Sequence, residues 1–214
     1  MNATTIAMKT IVVPTDCGRL SLNALRYADR LAARSGAKVV AVYGAVFESP
    51  DGVGVAAALA SEDDREMMMA PVRRCIEASL AQTLSPDTKH EIVLEDCEAA
   101  DAIVEVAKRY DADVIIIGTH DRNRLLRAVL GSVTDEVLRL TTRPVLVLRE
   151  QNNDPIRRVV CVEKEAEAAA RRLAEAAGAE FVSEGGENAG DVLVVGKSSP
   201  LVRTAHVPVL VAHH

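Results

Sequence analysis

Two rhythms of hydrophobic and polar positions take turns along this chain. Short apolar-rich runs read as buried parallel strands: Thr10–Val13, Val39–Tyr43, His90–Leu94, Val114–Ile117 and Val145–Leu148. Between them apolar residues recur at helical spacing. Ser21 to Ser35 carries Leu22, Leu25, Ala28 and Leu31 on one face and is stopped by Gly36. Further helices are predicted over Asp63 to about Leu84, Ala99–Tyr110 and Ser132–Leu140, with Pro71 expected to kink or interrupt the first of these. Glu48 to about Ser61 is small, glycine-bearing and irregular, and reads as a loop. Strand–helix–strand units with right-handed crossovers predict an α/β fold, a doubly wound parallel sheet. In such sheets ligands sit beyond the carboxyl ends of the strands, where the strand order reverses.

The last third repeats this plan in abridged form. Arg158–Val162 imitates the first strand, Glu165–Ala177 its helix, and Ala179–Val182 the second strand. Asp191-Val192-Leu193-Val194-Val195-Gly196 then repeats Asp113-Val114-Ile115-Ile116-Ile117-Gly118. His206-Val207-Pro208-Val209-Leu210-Val211 repeats Thr142-Arg143-Pro144-Val145-Leu146-Val147. The pattern predicts a complete unit over residues 1–150 and a degenerate one over 155–214, joined by a linker from Gln151 to Pro155. Strand three and its flanking helices have no second copy.

Composition narrows the class. The 214 residues are 49% hydrophobic but only 2% aromatic, so the core must be built from Val, Leu, Ile and Ala. A net charge of −6, with no basic arm, argues against a nucleic-acid partner. No apolar run approaches the ~20 residues of a membrane span. The stretch Met1 to Lys9 lacks the charged start and apolar run of a signal segment, so the expected location is cytoplasmic. Cys17, Cys75, Cys97 and Cys161 show no metal-ligand spacing and are expected to be reduced, structural thiols.

Candidate chemistry concentrates behind the fourth strand. Gly118-Thr119-His120-Asp121-Arg122 is followed, after an arm from Asn123 to Leu130, by Gly131-Ser132-Val133 at the start of a helix. Glycines that let backbone N–H groups approach an anion, and a helix start with unpaired donors and a positive dipole end, make a phosphate cradle. The spacing is neither that of the P-loop nor that of the dinucleotide fingerprint.

This stretch resembles the universal stress protein family, whose ATP-binding members carry Gly, two residues, Gly, nine residues, Gly, then Ser or Thr. Gly118, Gly131 and Ser132 fall on that pattern, and Asp121 replaces its middle glycine. The first-strand signature Ile11-Val12-Val13-Pro14-Thr15-Asp16 and the closing Thr142-Arg143-Pro144-Val145-Leu146-Val147-Leu148 also match, so the resemblance covers about residues 8 to 150. It implies strand order 3-2-1-4-5, with the Asp16 and Gly118 loops facing each other across one crevice.

The resemblance further implies an adenine-nucleotide-binding regulatory module of the stress response, with ATP and Mg²⁺ as the ligand. Hydrolysis would be slow, because no general base is set on an attacking water. Asp16 is a candidate for adenine or ribose contact, or else a cap for the helix near Ser21; Pro14 and Thr15 shape its turn. Gly44 matches the place where the family's backbone meets the base, or else serves as a turn glycine. Gly118, Gly131, Ser132 and the Val133 N–H are phosphate candidates, with Ser132 otherwise a plain N-cap whose hydroxyl satisfies backbone donors, and Arg122, Arg124 and Arg127 flank the cradle. Asp121 tolerates the left-handed region, yet its carboxylate repels a triphosphate unless a metal ion turns repulsion into coordination. Two alternatives stay open: a member acting through protein contacts alone, and a slow metal-dependent nucleotide hydrolase using His120 or Asp121. Family dimers pair their fifth strands antiparallel, so Pro144–Arg149 and Pro208–His213 are expected to pair within one chain as a pseudo-dimer. Further homodimerisation through other surfaces is compatible with this.

Overall fold

The computed structural model describes residues 8–46, 62–119, 130–149, 154–183 and 191–213. Its first part runs β1 (Thr10–Pro14), α1 (Arg19–Ser35), β2 (Lys38–Gly44), α2 (Glu62–Thr83) and β3 (His90–Glu95). It continues with α3 (Ala99–Arg109), β4 (Val114–Thr119), α4 (Ser132–Leu140) and β5 (Val145–Arg149). The second part runs β6 (Arg158–Cys161), a 3₁₀ turn (Lys164–Ala166), α5 (Glu167–Ala177) and β7 (Glu180–Val182). It closes with β8 (Asp191–Gly196), α6 (Leu201–Thr204) and β9 (Val209–Ala212).

All the described strands join one sheet of order β3-β2-β1-β4-β5-β9-β8-β6-β7. Its first five places read 3-2-1-4-5. Every neighbouring pair is parallel except β5 with β9, where Val145 faces Val211 and Val147 faces Val209 in antiparallel register. The two Pro-Val-Leu-Val segments thus meet at the middle of the sheet, and β5 is no edge. Unpaired edge groups are a route to association, and here the chain covers that edge itself.

Alternate strand residues face opposite sides, which makes two cores. Ile11, Val13, Val114, Ile116 and Leu146 pack under α1, α2 and α5. Val12, Ile115, Ile117, Val145 and Val147 pack under α3, α4 and α6. The same alternation runs through β6, β8 and β9, so the helices of the second part extend both layers. Small alanines let α1 and α5 lie close to the sheet: Ala24, Ala28, Ala170 and Ala174 are all buried. Both helices end on a left-handed glycine, Gly36 at φ 73° and Gly178 at φ 60°, the conformation in which a Cβ is penalised.

Three expectations are corrected here. Pro71 does not interrupt α2, which continues through it to Thr83. The buried Ile76 and Leu80 downstream hold the helix in register, so tertiary packing overrides the local penalty. The short helix α6 falls where only a connection was expected, and the buried Val202 seats it on the second core. Finally, Cys17 and Cys75 are not free thiols: they form a disulfide across 58 residues, because α1 and α2 lie side by side. Cys97 and Cys161 are free.

Candidate functional site

The carboxyl ends of β1 and β4 diverge, since β1 turns toward β2 and β4 toward β5. Between them opens a crevice of about 570 Å³, within the roughly 300–1,000 Å³ that holds small ligands. Pro14, Thr15, Asp16 and Gly44 line one side of it, and Gly118, Gly131, Ser132 and Val133 the other. All eight of these sequence-designated residues therefore share one cavity. His120, Asp121, Arg122, Arg124 and Arg127 lie outside the described residues, as does the segment expected to form a loop over 48–61.

The β1 side is a tight turn. Thr15 is buried, and its N–H donates to the Val42 carbonyl at 2.9 Å. Its Oγ1 accepts the Cys17 N–H at 3.3 Å. Asp16 is exposed, and its Oδ1 accepts from the Gly18 N–H at 2.8 Å and the Ser21 hydroxyl at 2.9 Å. These bonds close the turn that leads into α1 without capping the helix itself, whose start has no side-chain cap; Oδ2 takes no part in them. Among the described lining residues Asp16 is the only charged one. Val42, Ala99, Ile103 and Ile117 give the cavity an apolar end.

The β4 side is where backbone donors gather. Gly131 precedes α4 in extended conformation, and no side chain caps that helix. The first intrahelical bond runs from Asp135 N–H to the Gly131 carbonyl at 2.9 Å. The N–H groups of Ser132, Val133 and Thr134 precede it, the usual orphan donors of a helix start. Ser132 is exposed and does not cap the helix, contrary to that reading of its hydroxyl. What holds the arrangement is a residue the sequence did not single out. Thr119, buried at the end of β4, accepts the Gly131 N–H on Oγ1 at 3.1 Å. It pins the return of the arm to the strand it left.

The glycines divide by cause. A Cβ on Gly118 would lie 2.8 Å from the Leu20 carbonyl oxygen, and one on Gly44 would lie 2.4 Å from the Ala102 Cβ. Both are glycine because a helix or its leading loop packs onto the strand end. A Cβ on Gly131 would meet nothing closer than Thr119 Oγ1 at 3.6 Å. The fold leaves Gly131 free, so its backbone is open toward the crevice.

At Cys97, next to Gly44, burial, then the carboxylates of Glu95, Asp101, Asp96 and Glu98, push the thiol pKa up and disfavour the thiolate. Among the described residues no group of three or more His, Cys, Asp or Glu could hold a metal ion, and no helix is long and apolar enough to cross a membrane.

The model of the universal stress protein family matches residues 8–149. The chain belongs to the universal stress protein family. Universal stress protein MJ0531 of Methanocaldococcus jannaschii is 30% identical over 146 residues, covering 68% of this chain and 85% of that protein. The stress response protein NhaX of Bacillus subtilis is 30% identical over 88 residues, 41% of this chain and 49% of that protein. In fold, a universal stress protein from Archaeoglobus fulgidus superposes with TM-score 0.61 at 16% identity, covering 95% of this chain and 98% of that one. A functionally unknown protein of Pseudomonas aeruginosa, PA1789, reaches 0.63 at 14% identity, covering 96% and 92%. The universal stress protein match ends at Arg149, while these two structural likenesses run on through the second part.

Proposed function

We propose that this protein is a cytoplasmic adenine-nucleotide-binding module of the stress response, with ATP as its ligand and one site per chain. The carrying observation is the uncapped start of α4 facing the Asp16 turn across a crevice with an apolar end. The adenine fits that end beside Val42, Ala99 and Ile103, near the Gly44 backbone. Asp16 is positioned to accept a ribose or amino donor through Oδ2. The phosphates meet the N–H groups of Ser132 and Val133, with the Ser132 hydroxyl as an added donor, and the bare Gly131, its N–H held by Thr119, leaves the approach open. Arg122, Arg124 and Arg127 belong to the arm between Thr119 and Gly131 and are the candidate countercharges. Mg²⁺ bound with the phosphates would relieve the charge of Asp121.

Turnover is slow or absent in this reading, because among the described lining residues only Asp16 is a potential base and its carboxylate already accepts the Gly18 N–H and the Ser21 hydroxyl. That same engagement favours one rival, a member that acts through protein contacts without nucleotide. Mass spectrometry of gently purified protein, followed by calorimetric titration with ATP, separates the two. Co-purifying adenine nucleotide and saturable binding support the proposal; no binding at millimolar ATP overturns it.

Residues 155–214 act, we propose, as a degenerate second copy that stands in for a partner subunit. Its β9 occupies the flank of β5. Its remaining task is to cover that edge and extend the two cores.

A further inference from the structure

Two cysteines that nucleotide binding leaves unused meet behind the Asp16 turn, next in the chain to the crevice wall although neither lines it. Cys17 follows Asp16 in the turn after β1, and Cys75 lies on α2, their Cα atoms 6.3 Å apart. That separation lies within the range a disulfide spans. Cys75 is exposed, whereas Cys17 is half-buried against the core. An exposed bond is open to thiol attack and belongs to the labile class of disulfides.

The position of Cys17 gives the bond leverage on the site. Cys17 holds φ at 61°, a left-handed conformation that a non-glycine residue adopts at a cost and keeps only when its surroundings impose it. Its N–H donates to Thr15 Oγ1, and the next residue, Gly18, donates to Asp16. The bond to Cys75 therefore braces the turn that presents Asp16 to the crevice. On the other side, α2 is fixed beyond Cys75 by the buried Ile76 and Leu80. It is also fixed by Asp29, which accepts from Ser85 and Thr88 just past its end. Before Cys75 the helix exposes Met67, Met68, Arg73 and Arg74. The disulfide is thus anchored in α2 where the helix is firmly seated, and it reaches the turn that carries Asp16.

We propose that Cys17 and Cys75 form a reversible redox switch on nucleotide affinity, the disulfide holding the Asp16 turn in its binding geometry and the dithiol releasing it. The proposal rests on the reading of the crevice as a nucleotide site. Closure uses a low-molecular-weight disulfide as oxidant. The Cys75 thiolate attacks one of its sulfurs and expels the first small thiol. The Cys17 thiolate then attacks the Cys75 sulfur of the mixed disulfide and expels the second. The two protein thiols give up two electrons and two protons, and the small disulfide is reduced to two thiols. Excess small thiol runs the same steps backward. Linkage makes the effect reciprocal: nucleotide bound more tightly to the disulfide form makes that form harder to reduce by the same factor. A tenfold coupling corresponds to about 30 mV in the reduction potential.

The full chain, equilibrated in oxidised or in reduced glutathione, is tested by counting alkylated thiols by mass spectrometry and titrating ATP with Mg²⁺ calorimetrically. The expected result is two fewer alkylated thiols in the oxidised protein, and affinity higher by about fivefold or more. Cys75→Ser is expected to bind like the reduced protein in both buffers, and Cys97→Ser to keep the difference. Equal affinity in both states with the bond verified, or no bond between these cysteines, overturns the switch while leaving the nucleotide reading in place. No binding in either state overturns that reading and the switch with it.

Discussion

The crevice between β1 and β4 has a counterpart between β6 and β8, and the two are built on one register. Val12 pairs with Ile115, which places Thr15 level with Gly118; Val160 pairs with Leu193, which places Glu163 level with Gly196. At the first place a short neutral threonine turns its hydroxyl to its own loop and leaves the cavity open. At the second, the Glu163 carboxylate fills the space, its Oε2 accepting the Gly196 N–H at 2.7 Å. The chain supplies its own carboxylate where the first part leaves an open cavity. The segments downstream of the two strand ends differ as well. Gly131 opens a nine-residue helix with free donors, whereas the stretch after Gly196 leads only to the four-residue α6. The scaffold carboxylates are retained in both: Asp113 accepts from the Lys9 and Thr10 N–H groups at 2.6 and 3.0 Å, and Asp191 pairs with Arg158 at 2.6 Å. Among its described residues the second part thus keeps a carboxylate that holds strands together, and a carboxylate closes the place where the first part has an open crevice.

The sharpest way to break this comparison is to remove the second part. Deletion after Asn153 takes away β9 and strips β5 of its antiparallel neighbour. It also leaves Arg149 without the carbonyls of Ala205, Val202 and Arg203, to which its buried guanidinium donates at 2.8, 3.2 and 2.8 Å. The shortened protein is expected to dimerise through β5 or to aggregate. A stable, soluble monomer by light scattering would contradict the covering role assigned to residues 155–214.

Next in size is a contrast between two glycines. Gly118→Val drives a Cβ against the Leu20 backbone, which cannot move without shifting α1, and is expected to destabilise the protein by about 3 kcal/mol or more. Gly131→Val meets only Thr119 Oγ1 and should change stability by less than about 1 kcal/mol. It should nevertheless abolish ATP binding, because branched carbons would stand where phosphate meets backbone. Urea unfolding with and without ATP distinguishes the two. Retained protection by ATP in Gly131→Val would place the nucleotide elsewhere.

These two glycines also mark how far the sequence was legible. Strands and helices were readable because their apolar periods differ, and the order of the first five strands followed from the resemblance. That Gly118 and Gly131 flank one crevice was readable from their spacing, but why each is glycine was not. The Leu20 carbonyl that excludes a Cβ from Gly118 comes from α1, far away in the chain. Thr119 carried no assigned role in the sequence, yet its hydroxyl accepts the Gly131 N–H. Cys17 and Cys75 escaped a search for local spacing because only the packing of α1 against α2 brings them together. Arg149 entered the sequence reading only as a bound of the pairing segment, and its bonds to the carbonyls at the end of α6 depend on β9 bringing the second part alongside. Each miss is a contact made across the fold by residues with no local signature.

A smaller effect tests whether Glu163 is a plug or a structural ligand. Glu163→Ala leaves the buried Gly196 N–H without its acceptor and is expected to cost about 1–2 kcal/mol of stability. The number of nucleotides bound per chain should stay at one, since the stretch after Gly196 leads only to the four-residue α6 and no counterpart of the nine-residue α4. A second equivalent in calorimetric titration would show that the β6–β8 crevice is a latent site and that the two regions differ only in this side chain.

The smallest effect lies on the acid side and belongs to the first part alone. Asp29 ties α1 to the turn after α2, accepting the Ser85 N–H at 2.9 Å and the Ser85 and Thr88 hydroxyls at 2.8 and 2.6 Å. Burial acts to raise its carboxyl, but the hydrogen bonds from Thr88 and Ser85, with Arg30 nearby, outweigh it and hold the pKa below the ordinary value. A carboxylate whose folded pKa is depressed stabilises the fold fully above its unfolded pKa of about 4. That stabilisation is lost as pH falls through the folded value. Because Asp29 is only half-buried, solvent screening keeps the effect below about 1 kcal/mol. Among the described residues the second part has no counterpart of β3 or α2, and so no such clamp. Acid should therefore loosen α2, which carries Cys75, while α5 is unaffected by this carboxyl. Asp29→Asn should lower stability near neutral pH and lose less than the parent between about pH 5 and pH 2. Urea midpoints measured across that window check the sign. Equal acid sensitivity of the two proteins would show that Asp29 is not what anchors α2.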